Sequence, residues 1–184
     1  MSKKVSHAEN QQERLINIGW VVGFVDGEGC FSIHFVKQPD RVEKNRTRKG
    51  YKTGYQIAHD FIVVQGAKSL ASLERLKDFF GVGTIHINRR HDNHKEDLYR
   101  YSIGKREDLI NIVIPFFEKY KLKTAKRNDF DLFKKCVFLM KKNKHLLCDG
   151  AIKIALMCEK MNHQKSRSEL ISILRNQTPD STKK

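Results

Sequence analysis

Two carboxylates, Asp26 and Glu28, stand on either side of Gly27 and ahead of Gly29, at the end of a stretch that reads as a helix. The C-terminal end of a helix is the negative end of its dipole, so two acids there are locally unfavourable. A bound cation reverses that sign. Carboxylates and free backbone carbonyls are also the hard oxygen donors that Mg²⁺ accepts. The same acids could instead be solvated or paired with Lys or Arg, and an isolated Asp-Gly-Glu-Gly stretch does not decide between the two. Upstream, Gly19, Gly23 and Gly27 recur at every fourth residue, which gathers them within about 80° on one helix face. Each glycine costs a helix interior about 1 kcal/mol against alanine. Close backbone approach of a second helix offsets that cost, whether that helix comes from the same chain or from another. Leu15, Ile18, Val22 and Val25 form the neighbouring apolar face and are expected to enter the core.

The elements that must position these residues follow from periodicity. Gln11 to about Gly27 reads as a helix that runs into a strand at 30–36, where Phe31, Ile33 and Phe35 alternate with Ser32, His34 and Val36. A polar loop is expected from Lys37 to about Gly54. A second strand covers 55–65, with Ile57, His59, Phe61 and Val63 on one side and Gln56, Ala58, Asp60 and Ile62 on the other. Leu70, Leu73, Leu76, Phe79 and Phe80 mark an amphipathic helix over 69–80, which Gly81 stops. A second hairpin pairs 84–90 with 98–104 around HDNHKED, with Ile85, Ile87, Tyr101 and Ile103 expected to point inward. A helix over 106–120 should bend or break at Pro115. Another spans 124–142, with Thr124 as N-cap, and shorter helices cover 151–161 and 168–174. Helices that follow antiparallel hairpins in the order αββαββα indicate an α+β fold with C-terminal helices. Residues 1–9 are expected to be disordered, 10–176 to form a single domain and 177–184 to be a loose tail.

Lys and Arg number 36 against 21 Asp and Glu, a net charge of +15. Such an excess points to a polyanion, and charge alone leaves DNA and RNA level. Cys30, Cys136, Cys148 and Cys158 form no CxxC pair and have no His at zinc-ligand spacing, so free thiols are expected and not a structural zinc. No apolar run approaches the roughly 18 residues of a spanning helix. The start, MSKKVSHAENQQ, has no apolar core of a secretory signal. The expected location is therefore a bacterial cytoplasm or an organelle interior, with no membrane partner and no secretion.

VVGFVDGEG resembles the LAGLIDADG motif: an apolar pair, Gly, an aromatic, an apolar residue, an acid, a small residue, an acid and Gly. CFSIHF, FIVVQ, FFGVGTI, IPFFEKYKLKTAK and KNKHLLCDGAIKI resemble, in order, later segments of the same family. The resemblance covers roughly residues 15–160. Val21 and Val22 replace the Leu-Ala opening, and Glu28 replaces the last Asp. Only one motif is present, so the resemblance is to the single-motif, homodimeric homing endonucleases.

That resemblance implies a saddle-shaped antiparallel sheet and metal-dependent hydrolysis of double-stranded DNA at a long pseudo-palindromic site, leaving short 3′ overhangs. It implies that Glu28 holds Mg²⁺ or Mn²⁺ together with the Gly27 carbonyl, and that Gln65 and Lys123 are catalytic. Asp26 would hold the motif's geometry. Gly19, Trp20, Gly23, Phe24 and Gly27 would form the dimer interface. The outward strand residues Ser32, His34, Val36, Gln56, Ala58, Asp60, Ile62, His86, Asn88, Arg90, Arg100 and Ser102 mix donors, acceptors and methyl contacts. That mixture suits base edges in a major groove, though a merely solvated face has the same period. Arg46, Arg48, Lys49 and Lys52 suit phosphates. Two other activities fit the same residues: an RNA maturase acting on its host intron, and a DNA-binding protein that does not cleave.

Overall fold

The computed structural model describes residues 7–38, 40–44, 46–89, 97–162 and 166–177. Helix α1 (His7–Glu28) runs directly into strand β1 (Gly29–Lys37). A small hairpin, β2 (Arg41–Glu43) and β3 (Arg46–Arg48), precedes β4 (Tyr55–Gly66) and α2 (Leu70–Phe80). Strands β5 (Thr84–Asn88) and β6 (Leu98–Ile103) lead to α3 (Arg106–Asp108) and α4 (Ile114–Lys119). Then come α5 (Lys126–Lys141), α6 (Cys148–Cys158) and α7 (Ser168–Asn176). The four long strands form an antiparallel sheet in the order β1-β4-β6-β5, and β2 pairs only with β3. This is the expected α+β pattern with one addition, since residues 37–54 are not all loop. Arg41, Val42 and Glu43 pair with Arg48, Thr47 and Arg46. A charged hairpin of this kind carries no apolar alternation to reveal it. Residues 90–96, most of the expected second turn, lie outside the described residues, as do 1–6 and 178–184.

The chain divides into two compact units. The first comprises Met1–Cys30, Ile62–Ile103 and Asp108–Arg127. Its α1 buries Ile18, Val21 and Val25, while Leu15 is 60% exposed. Val22 is half-buried. The core register is therefore Ile18-Val21-Val25, and Leu15 lies outside it. Gly29 is needed where α1 turns into β1, because a Cβ there would stand 2.6 Å from Val25 Cγ1 and 2.8 Å from its carbonyl oxygen. Gly81 ends α2 in the left-handed conformation, φ 67°, with its N–H on the Lys77 carbonyl at 2.8 Å. Phe79 and Phe80 meet Phe116 edge to face at 5.2 and 5.4 Å, a geometry that contributes about 0.5–1.5 kcal/mol per pair beyond burial. The helix expected over 106–120 is interrupted just before Pro115. Residues Leu109–Val113 form a π turn and α4 starts with Pro115 in its first turn, so the missing N–H and the ring fall where the ladder has already widened. Ile87 was expected inward but is 45% exposed, because β5 is the outermost strand of the sheet order.

The second unit comprises Phe31–Phe61, Gly104–Glu107 and Asn128–Lys184. Phe31 is its hub, with ring centroids 5.3 Å from Phe61, 5.2 Å from Phe130 and 5.4 Å from Phe133. Val137, Met140, Ile154, Ile171 and Leu174 complete the burial along α5, α6 and α7. His59, 9% exposed, lines a cavity of about 280 Å³ together with Asp60, Arg106 and His145. Among the described residues neither of its ring nitrogens has a hydrogen-bond partner. Burial, then the nearby Arg106 charge, pushes its pKa down from 6.5 to about 4, with Asp60 opposing.

The folded state therefore holds His59 neutral where the unfolded chain would protonate it. Its contribution is fully present above about pH 6.5 and is lost as pH falls toward about 4, a total of about 3 kcal/mol. Urea midpoints should fall over that window, and His59→Gln should flatten the fall. Equal pH slopes for parent and variant would remove His59 from the acid sensitivity.

Candidate functional site

The end of α1 is tied to the segment that precedes α5, within the first unit. The half-buried Asp26 carboxylate accepts the Lys123 N–H at 2.6 Å, the Thr124 hydroxyl at 2.8 Å and the Thr124 N–H at 3.3 Å. Thr124 Oγ1 in turn accepts the Lys126 N–H at 3.2 Å, so Thr124 caps α5 as expected. Partial burial acts to raise the Asp26 pKa, but the bonds from Lys123 and Thr124 and the Lys126 charge outweigh it, and the carboxyl is held below its ordinary value. Asp26 is a tether that joins two parts of the chain far apart in sequence.

Asp26→Ala should therefore cost about 1–3 kcal/mol of stability, because it strands two backbone N–H groups and a hydroxyl. That contribution holds above the ordinary pKa of 3.8 and disappears as pH falls through the lower folded value. Glu28→Ala, two residues away and exposed, should cost almost nothing. Chemical denaturation of the two variants side by side checks this, and equal losses would refute the tether.

Glu28 is exposed, and among the described residues no partner holds its carboxylate. The Gly27 carbonyl accepts a hydrogen bond from Lys126 Nζ at 3.0 Å. That lysine was missed in the sequence. Lys123, the expected basic residue, reaches the site through its backbone, while its side chain is exposed. The only available signal was the KLKTAK spacing, which does not say which lysine turns back toward α1. Gln65 is half-buried near the end of β4 and takes no part in these hydrogen bonds.

Along α1 the glycine face is open. A Cβ at Gly19, Gly23 or Gly27 would meet nothing within 4 Å, so no helix of the described chain packs there. Gly19 and Gly23, with Leu15, Val22, Tyr120 and Lys123, line a groove of about 580 Å³. Trp20 and Phe24 stack at 5.1 Å, and the Arg75 guanidinium sits 4.7 Å from the Trp20 ring. Arg75 also donates to Asn17.

The donor chemistry at the α1 end fits a hard divalent cation: one free carboxylate, and a carbonyl that already attracts an ammonium group. Asp26 is already committed to its three donors. Among the described residues no cluster of three or more His, Cys, Asp or Glu is assembled to hold a metal.

None of the expected reading residues is fully buried where described. In the second unit His34 pairs with Asp60 at 3.5 Å, Ser32 Oγ lies 3.5 Å from His34 Nδ1, and Gln38 donates to Gln56 at 3.2 Å. Val36 is exposed and Ala58 half-buried, while Arg46, Arg48, Lys49 and Lys52 are exposed. Arg41, Arg48, Lys49 and Tyr51 line a cavity of about 180 Å³. In the first unit the register places His86 opposite Arg100 and Thr84 opposite Ser102. Asn88 is exposed and Ile62 half-buried. Arg90 lies outside the described residues.

The LAGLIDADG endonuclease family model matches residues 21–137, and the chain belongs to that family. It is 32% identical over 137 residues to the probable intron-encoded endonuclease 2 of Neurospora crassa, covering 73% of this chain and 27% of that protein. It is 35% identical to the homing endonuclease I-TnaI, with a TM-score of 0.68, covering 88% of this chain and 97% of that one. A DNA-bound structure of the meganuclease I-SmaMI is 36% identical with a TM-score of 0.70, covering 89% of this chain and 51% of that one. The chain spans about a quarter of the length of the first curated relatives it matches. Among the described residues no helix is long and apolar enough to cross a membrane.

Proposed function

We propose that the chain is a site-specific endonuclease of double-stranded DNA that acts as a homodimer with a divalent metal, Mg²⁺ or Mn²⁺. The single observation that carries this reading is the open glycine face ending at an exposed Glu28 that has no partner among the described residues. I-SmaMI structures with cleaved DNA, and with uncleaved DNA in the presence of calcium ions, support it. Two copies of α1 packed along Gly19, Gly23 and Gly27, flanked by Trp20 and Phe24, bring two Glu28 carboxylates to the two-fold axis. Glu28 and the Gly27 carbonyl would hold the metal. When bound, the ion stabilises charge on the scissile phosphate and makes a water more acidic. Gln65 orients solvent, and Lys123 and Lys126 add positive charge beside the phosphate. Asp26 fixes the turn that carries both lysines. The strand residues read bases, and Arg46, Arg48, Lys49 and Lys52 set position on the backbone.

The test is cleavage of a plasmid carrying a site selected from a randomised DNA library, with Mg²⁺ and one purified chain. Symmetric cuts near the centre of a pseudo-palindromic footprint, leaving short 3′ overhangs, are the expected result. Binding without cutting, or stimulation of intron RNA folding alone, would replace this reading with a non-cleaving one. Gly23→Leu separates fold from assembly. The lone chain has room for the side chain and gains up to about 1 kcal/mol of helix propensity, but the seam closes. The variant should remain folded by circular dichroism, sediment as a monomer and fail to cut. A dimeric, active Gly23→Leu would place the partner elsewhere.

A further inference from the structure

Between α5 and α6, in the second unit, lies a groove of about 530 Å³ whose floor is Phe138, Leu139, Leu156 and Met157. Phe138 is 38% exposed and Leu156 41% exposed. Four lysines, Lys134, Lys135, Lys142 and Lys153, stand around this floor. Such a surface is a poor fit for nucleic acid, since phosphates cannot leave water to rest on Phe, Leu and Met. It is concave, where a bilayer surface is flat. An isologous contact with the same face of a second copy would set lysine rim against lysine rim.

We infer that this groove receives an amphipathic helix from an acidic partner protein, its apolar face on Phe138 and Leu156 and its carboxylates against Lys135, Lys142 and Lys153. Helices lie in apolar grooves through anchors at i, i+3, i+4 and i+7, and the lysine rim fixes orientation and speeds encounter. Exposed apolar patches rimmed by polar residues are a common mark of such docking.

The probe is a labelled peptide of roughly 15 residues, about four helical turns, with Leu at the anchor positions and Glu elsewhere. A scrambled peptide of the same composition is the control. Titrated into the full chain, the patterned peptide should bind with Kd on the order of 10 µM and the scrambled one at least about tenfold more weakly. Phe138→Ser and Leu156→Ser, both at exposed positions, should each weaken binding about tenfold. Lys135→Glu with Lys153→Glu should weaken it further and reduce its salt dependence. Equal binding of the scrambled peptide, or no effect of either serine variant, overturns the inference. Displacement of the peptide by duplex DNA, or loss of self-association in Leu156→Ser, would assign the groove to nucleic acid or to a second copy and overturns it as well.

Discussion

Glu28→Gln is expected to reduce cleavage by at least about 10³-fold while leaving DNA affinity within a few-fold of the parent. Glutamine keeps the size and one carbonyl oxygen of the glutamate but removes its negative charge. The charge is what holds a divalent ion at the end of α1, where the helix dipole and the Gly27 carbonyl supply only partial charges. The fold should not register the change, because Glu28 is exposed and among the described residues makes no partnered contact. Affinity should hold or rise slightly, since an acid facing DNA phosphates opposes binding in the absence of metal. The contrast with Asp26 is the sharper part. Asp26→Asn weakens the bonds to Lys123 and Thr124 and should lower stability and activity together, whereas Glu28→Gln should separate them. Single-turnover cleavage and gel-shift titration of the same preparations decide the matter. A Glu28→Gln protein that cuts within about tenfold of the parent removes Glu28 from the chemistry.

The parts of the molecule that could be read in the sequence are those governed by one local rule. Alternation placed Phe61, Val63, Tyr101 and Ile103 in the core, and all are buried. Gly81 ended α2 because only a residue tolerant of positive φ fits there. The acid pair and the glycine stripe were legible as an anomaly, since both defy helix propensity and dipole and so require something outside the helix. What escaped depends on tertiary choice. Leu15 has the periodicity of a core residue but lies a turn before the sheltered part of α1, on the groove instead. Ile87 alternates correctly on a strand that has no outer neighbour. The hairpin Arg41–Glu43 with Arg46–Arg48 is written in charged residues, which pattern reading assigns to loop. Lys126 escaped because a four-carbon side chain can reach many acceptors, and only the Asp26 tether brings the start of α5 to the Gly27 carbonyl. The site's acids announced themselves by sequence, and its base was set by the fold.

DNA affinity should fall roughly 10³–10⁵-fold between about 50 and 200 mM salt if the dimer neutralises about 6–10 phosphates. A net charge of +15 per chain supplies more than enough cations for that footprint. The exposed β2–β3 hairpin and the residues just after it concentrate Arg41, Arg46, Arg48, Lys49 and Lys52 in a short surface segment. Each phosphate neutralised releases counterions and steepens the log–log slope by about 0.9. A triple substitution, Arg46→Ala with Arg48→Ala and Lys49→Ala, counts twice in a dimer and should flatten the slope by about five. Phosphate contacts carry no sequence information, so the same variant should weaken binding evenly across target and non-target duplexes. Replacing His86 or Arg100 should do the reverse, changing preference at one base pair by about 1–3 kcal/mol and leaving the salt slope nearly intact. Fluorescence anisotropy over a salt series, with a selected site and an unrelated duplex in parallel, measures both effects at once. A nearly flat dependence for the parent chain would mean that its charge is not a DNA footprint. A triple variant that altered site preference would move the hairpin from positioning to reading.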